Sequence, residues 1–268
     1  MSENLKNAVV MVGDDKVPHL DLGADEWIYP VNAEQDGQLW TLLFHMKPYR
    51  FHDLKQILPE IGSRIKVVSQ QERRVFDGNT AACIPFFKEH FLCLSGITDG
   101  DGNEVSLEQQ IAFLDANPNL MIKAVMEGMG GIMKDRPEES AVGAKLVIGN
   151  FSNNVVKNKI RLFSPEAGRI VEVKYQLILA KESEDDRLRY RKANCQVLDS
   201  GKSEVSYSSN YDVLDNLVDR LVLTTRGILF NGVPATEANR EEWKKKLPGW
   251  IKIVTIDQAF SENRIKNA

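Results

Sequence analysis

The chain has 268 residues, 43% of them hydrophobic and 27% charged, an ordinary balance for a water-facing globular protein and, at about 150 residues per domain, enough for two domains. No apolar run approaches the ~20 residues of a bilayer span, and Met1-Ser2-Glu3-Asn4-Leu5-Lys6 lacks the basic and apolar stretches of a signal peptide. The net charge of −4 is uneven: residues 1–131 carry 11 Lys+Arg against 19 Asp+Glu, and the remainder 23 against 19. Such a mildly basic second half is not the clustered footprint of a nucleic-acid binder.

In chain order, residues 1–36 read as an N-terminal arm with strand candidates at Ala8–Val12 and at Trp27-Ile28-Tyr29 with Val31. Asp36-Gly37 is a turn signal, and Leu39 to Met46 completes a hairpin that Pro48 stops. Phe51, Leu54, Ile57 and Leu58 have helical spacing and predict a helix from Tyr49 to Leu58, closed by Pro59 and Gly62. Ile65, Val67 and Val68 suggest a short strand. Ala81 to Leu94, opened by Asn79, is almost wholly apolar and predicts a buried helix with Pro85 in its first turns. Ser106 and Gln109 form a capping box for the helix bearing Ile111, Phe113 and Leu114, and a last helix follows Pro118.

The plan then restarts. Leu146-Val147-Ile148, Val155-Val156 and Ile160–Phe163 predict strands, as does Ile170–Tyr175. Tyr211 to Thr225, opened by Asn210, carries a full amphipathic stripe: Val213, Leu214, Leu217, Val218, Leu221 and Val222. Thr236 caps a further helix, and Trp250, Ile253, Val254, Ile256 and Phe260 mark the last.

These landmarks coincide when the chain is shifted by about 131 positions, a spacing far longer than a solenoid unit. Gly37 meets Gly168, Asn79 meets Asn210 and Gly96-Ile97 meets Gly227-Ile228. With one residue fewer, Gly102, Ser106 and Pro118 meet Gly232, Thr236 and Pro248. The expected fold class is therefore α+β: a tandem duplication of a domain with a small antiparallel sheet followed by a helical bundle. The expected units are 1–131 (with the N-terminal arm) and 145–268, joined by a charged, proline-containing linker at 132–144.

Motifs for chemistry are few. Asp99-Gly100-Asp101-Gly102-Asn103 places oxygen ligands like the start of an EF-hand loop, but Glu104 stands where glycine is needed and Gln110 where the bidentate Glu is needed. A glycine turn between two helices is the expectation. His19, His45, His52 and His90 show no metalloenzyme spacing, and Cys83, Cys93 and Cys195 are too few and scattered for a disulfide framework or a zinc site. No metal, cofactor or catalytic residue is assigned. Gly128-Met129-Gly130-Gly131 follows a helix and reads as its stop. Arg187-Leu188-Arg189-Tyr190-Arg191-Lys192 follows an acidic run, the order a helix dipole favours. It reads as a solvated helix, or more sharply as a site for an acidic partner.

One string occurs twice: an apolar helix, Gly-Ile, a glycine turn, a Ser/Thr-capped helix, then Pro and a final helix. In the first copy it runs from Phe87 to Gly96-Ile97 through Asp101-Gly102, Ser106 and Leu114 to Pro118. It resembles the pattern of tail assembly chaperones of tailed phages, over about 45 residues per copy. That family often has an aromatic before the Gly, where this chain has Ser95 and Arg226. The resemblance implies a non-enzymatic protein of the bacterial host cytoplasm that holds a tape measure protein before the tail tube forms.

The leading expectation is thus a phage or prophage tail assembly factor that takes apolar helical stretches of a protein partner into grooves between its C-terminal helices. The partner surface is expected at Met121, Met129, Trp250, Ile253 and Phe260, with Arg187 and Arg191 as charged contacts. Competing expectations are a structural phage tail or virion protein using its sheets for subunit contacts, and an enzyme with an unrecognised site.

Overall fold

The computed structural model describes residues 6–35, 37–61, 64–68, 71–75, 80–129, 155–193, 196–199, 205–208 and 210–260. The predicted linker at 132–144, the strand at 146–148, Asn79 and Cys195 lie outside the described residues. The architecture is α+β.

The chain opens with a hairpin of β1 (Val9–Val12) and β2 (Val17–Asp21). Strands β3 (Trp27–Gln35) and β4 (Gln38–Met46) form the next hairpin, turning at Gly37 with φ +75°. Alternation sets its faces: Trp27, Tyr29, Val31, Leu42, Phe44 and Met46 are buried, whereas Leu43 and His45 lie half-buried on the opposite side of β4. Helix α1 (Phe51–Ile61) continues past Pro59, which sequence had placed at its end. A small hairpin of β5 (Arg64–Val68) and β6 (Gln71–Val75) follows.

Next, a 3-10 turn at Thr80–Ala82 leads into α2 (Cys83–His90). The predicted helix to Leu94 is corrected here, because the chain leaves helical geometry at Phe91 and continues as β7 (Phe91–Ser95). This strand is the third of an antiparallel sheet ordered β3-β4-β7. A short, fully apolar run fits either period, and here the sheet's need for a partner decides. Helix α3 (Leu107–Ala116) starts at the expected capping box, with Ser106 Oγ accepting from the Gln109 N–H and Gln109 Oε1 accepting from the Ser106 N–H. Helix α4 (Pro118–Gly128) has Pro118 in its first turn.

The second half runs through β8 (Val155–Ser164), β9 (Arg169–Leu179), α5 (Glu184–Ala193), β10 (Gln196–Asp199) and β11 (Val205–Ser208). Helix α6 (Tyr211–Leu221) is capped by the Asn210 side chain, which accepts from the Val213 N–H. It buries Leu214, Leu217, Val218 and Leu221. The helix predicted to Thr225 stops at Leu221. Its last residues form β12 (Val222–Arg226), where β-branched Val222, Thr224 and Thr225 favour a strand. The sheet is ordered β12-β9-β8. Short strands β13 (Ile228–Phe230) and β14 (Val233–Pro234), a 3-10 turn, α7 (Arg240–Lys246) and α8 (Gly249–Phe260) complete the described chain.

The two halves share one continuous core. The N-terminal hairpin does not stay with the first sheet. Instead β2 pairs in parallel with β13, Leu20 opposite Ile228 and Asp21 opposite Leu229, in a sheet ordered β1-β2-β13-β14. The Asp21 carboxylate reinforces this join by accepting from the backbone N–H groups of Gly23 (2.8 Å), Asn231 (2.9 Å) and Gly232 (2.9 Å). Helix α1 packs on α8, and β3 lies against β8. Gly249 makes the helix contact possible: a Cβ there would sit 2.7 Å from the Phe51 Cα.

Candidate functional site

The side of β4 turned away from the buried row carries His45, and strand pairing brings other chemistry to it. Cys93 on β7 stands directly opposite His45, and the register shifts between His45 and Met46. Such irregularities re-aim side chains. Glu26, just before β3, is held by the N-terminal arm through its bridge to Asn7 and the bond from the Ala8 N–H to its carbonyl.

His45 Nδ1 lies 2.7 Å from Glu26 Oε1, and Nε2 lies 2.8 Å from Ser95 Oγ. Both the His45 and Glu26 side chains are largely buried, at 16% and 14% exposure. Burial alone would lower the pKa of the imidazole. The hydrogen bonds to Cys93 and Glu26, and the charge of both, outweigh it and push His45 up to about 9. Glu26 and Cys93 thus favour the charged form of the ring.

Two chemistries suit this group. Ser95, His45 and Glu26 have the connectivity of a nucleophile, base and orienting acid. A raised imidazole pKa works against its use as the base that takes the proton of Ser95. The second chemistry is metal ligation by Glu26, His45 and Cys93, whose ligand atoms all lie within 4.8 Å of one another. Sequence reading missed the cluster because its members lie on separate strands. The available signal was alternation: His45 falls between buried Phe44 and Met46, and Cys93 beside buried Leu94.

The remaining histidines have structural surroundings. His90 is buried, with Nδ1 2.9 Å from the Phe86 carbonyl and Nε2 3.5 Å from Asp53 Oδ2. His19 Nδ1 faces the Val17 carbonyl, and His52 is exposed. The Asp99 loop is a glycine turn between β7 and α3, not between two helices. Its Asp99 carboxylate is engaged by the N–H groups of Asp101 and Asn103 and by the Asn103 amide.

The expected partner residues divide. Met121, Met129, Trp250 and Phe260 are buried in the core, so their apolar surface is already covered. The reason is that an apolar stripe at helical spacing serves the interior first. Ile253 is half-buried and packs against the same core. Arg187 and Arg191 lie on α5. Arg187 pairs with Glu182 (3.1 Å) and Glu184 (3.4 Å), and neighbouring Arg189 with Asp185 (2.8 Å). The acidic run thus answers the basic one along a solvated helix, and Arg191 is exposed. Exposed large apolar side chains occur elsewhere, among them Leu107, Ile111 and Phe113 of α3 and Leu39 and Trp40 at the start of β4.

Another buried charge ties helices together. Lys252 on α8 reaches Asp215 (2.5 Å) and Asp219 (3.3 Å) on α6 and lies over the Phe51 ring of α1. No helix among the described residues is long and apolar enough to cross a membrane. In comparisons with known proteins, the chain matches no protein-family model, no curated protein and no solved structure.

Proposed function

We propose that the chain is a non-enzymatic tail assembly factor of a phage or prophage, built from two copies of one α+β domain, that holds a tape-measure-type protein in the host cytoplasm. One observation supports this above others: the residues that carry the resemblance stand at matching places in both halves. Gly96 and Gly227 follow the third strand of each sheet, with φ +91° and +74°. Gly102 and Gly232 follow with φ +84° and +79°. Ser106 and Thr236 then cap the next helical turn, and Pro118 and Pro248 open the last helix. Element order matches as well, the β13–β14 pair standing where the first half has the Thr98–Glu104 bridge.

Because the residues first expected at the partner surface are mostly interior, the contact in this reading falls to Leu107 and Ile111, one turn apart on α3. An amphipathic helix of the partner would cover them. The test is co-expression with the tape measure protein of the same operon. Expected is a soluble tape measure protein that co-purifies with the chain, and loss of co-purification in Leu107→Glu/Ile111→Glu. Equal tape-measure solubility with and without the chain, and no co-purification, refutes the reading. Exposed Leu39 and Trp40 on the β3–β4 hairpin favour the second reading, a structural tail or virion component. Purified particles separate the two, since only a structural protein remains in them.

A further inference from the structure

Glu26, His45 and Cys93 offer a carboxylate oxygen, an imidazole nitrogen and a thiol sulfur within 4.8 Å of one another. We infer that these three side chains form a binding site for one zinc ion, with water in the fourth position.

The donor set selects the metal class. Calcium and magnesium take oxygen ligands, whereas a sulfur, nitrogen and oxygen set suits a borderline-soft divalent cation that accepts tetrahedral geometry. The Glu26–His45 pair needs little rearrangement. His45 Nδ1 and Glu26 Oε1 stand 2.7 Å apart. Ligands about 2.0–2.1 Å from a tetrahedral zinc stand roughly 3.4 Å apart, so the carboxylate withdraws by less than about 1 Å. Ser95 is already placed as the outer partner. Its Oγ lies 2.8 Å from His45 Nε2 and accepts that N–H, which fixes the ring and leaves Nδ1 for the metal.

Charge also balances. Thiolate and neutral imidazole are the forms that ligate a metal, so any proton they hold passes to solvent on binding. The zinc dication then faces one thiolate, one carboxylate and a neutral imidazole, a net charge of zero at a largely buried site. About 131 positions further along the chain stand Lys157, Gln176 and Thr224, so the corresponding place in the second half lacks the ligand set. Among the described residues, Glu26, His45 and Cys93 are the one such cluster. The inference does not rest on the assembly reading, and its test does not involve a partner protein.

The test is titration of the untagged, chelator-stripped protein with cobalt(II) as the zinc surrogate. Expected are a thiolate-to-cobalt charge-transfer band and strong visible bands of a tetrahedral ion, saturating at one equivalent and abolished by zinc. Cys93→Ser should lose the charge-transfer band, and Cys83→Ala should keep it. Ser95→Ala should keep the band but weaken affinity by about 10–100-fold, the usual effect of losing an outer partner. Should Cys93→Ser fail to fold, the wild-type protein gives an independent readout: zinc should slow iodoacetamide alkylation of Cys93, followed by mass spectrometry. A wild-type protein with no thiolate band in excess cobalt, a band that survives in folded Cys93→Ser, or Cys93 alkylation indifferent to zinc overturns the inference.

Discussion

Replacing Asp21 with Ala should destabilise the fold through the joint between the N-terminal hairpin and the second half. The carboxylate is 6% exposed and accepts three backbone N–H bonds, two of them from Asn231 and Gly232, more than 200 residues away in sequence. A hydrogen bond to a charged group contributes about 1.5–3 kcal/mol. Asn231 and Gly232 are themselves exposed, so water recovers part of what the substitution removes. The β2–β13 ladder, with Leu20 N–H on the Gly227 carbonyl and Leu22 N–H on the Leu229 carbonyl, also survives. These considerations place the loss at about 2–4 kcal/mol for the three bonds together. At about 2–4 °C per kcal/mol for chains of this size, Tm should fall by roughly 5–15 °C. Thermal unfolding followed by circular dichroism measures this. Hydrogen exchange at the Gly23, Asn231 and Gly232 amides should accelerate in the same variant. Asp21→Asn, which keeps an oxygen acceptor without its charge, should fall between. A variant within 1 °C of wild type, with those amides still protected, refutes the reasoning.

Gly249→Ala should cost about 1–3 kcal/mol, because the new methyl meets the Phe51 Cα at 2.7 Å and Leu54 Cδ1 at 2.8 Å; an unchanged melting curve would mean that α8 does not sit this close to α1. Gly232→Val should lose about 1 kcal/mol or more from backbone strain alone, since φ is +79° and nothing lies within 4 Å of the added Cβ. Gly232→Asn should be milder, and equal melts for both variants would argue against a left-handed turn. The His90–Asp53 pair should leave a mark on stability against pH. Burial opposes the His90 charge, but its bonds to Asp53 and the Phe86 carbonyl raise its pKa above the ordinary 6.5. Its contribution is therefore full below pH 6.5 and lost as pH rises through the raised value. Burial likewise opposes the Asp53 charge, but the bonds from His90 and the Arg50 N–H lower its pKa below 3.8, so its share is present above pH 3.8 and lost as pH falls through the lowered value. Urea midpoints should fall above pH 6.5 in wild type, and His90→Gln should flatten that slope; an unflattened slope assigns it to other groups.

Much of the element order was legible because it rests on local chemistry. The β3–β4 hairpin announced itself through alternation around Gly37. The α3 cap lay in Ser106 and Gln109, and α6 showed its stripe between Asn210 and Leu221. Illegible were the features decided by distant partners. Phe91–Leu94 read as the end of a helix because an apolar run has no period of its own, and Val222–Thr225 because it follows directly on the α6 stripe. Both become strands because β4 and β9 offer them an edge. The N-terminal arm gave no sign that β2 would pair with β13. Met121 and Trp250 looked like a partner surface because a sequence stripe does not say which molecule covers it. The Glu26–His45–Cys93 cluster was hidden for the same reason as β7: without that strand, Cys93 and Ser95 have no register against His45.

The parallel pairing of β2 with β13 also orders events in time. Once β2 has left the ribosome it waits for a segment made some 210 residues later, roughly 10–40 s at about 5–20 residues per second. Throughout that interval the outer edge of β2 is an unfilled template for a strand. A neighbouring nascent chain that presents its own Ile228–Phe230 satisfies it equally well, and exchange of the hairpin between two copies then yields an interlocked dimer with every native contact intact. Crowded synthesis from one message, where several such chains emerge side by side, is the condition that favours this exchange.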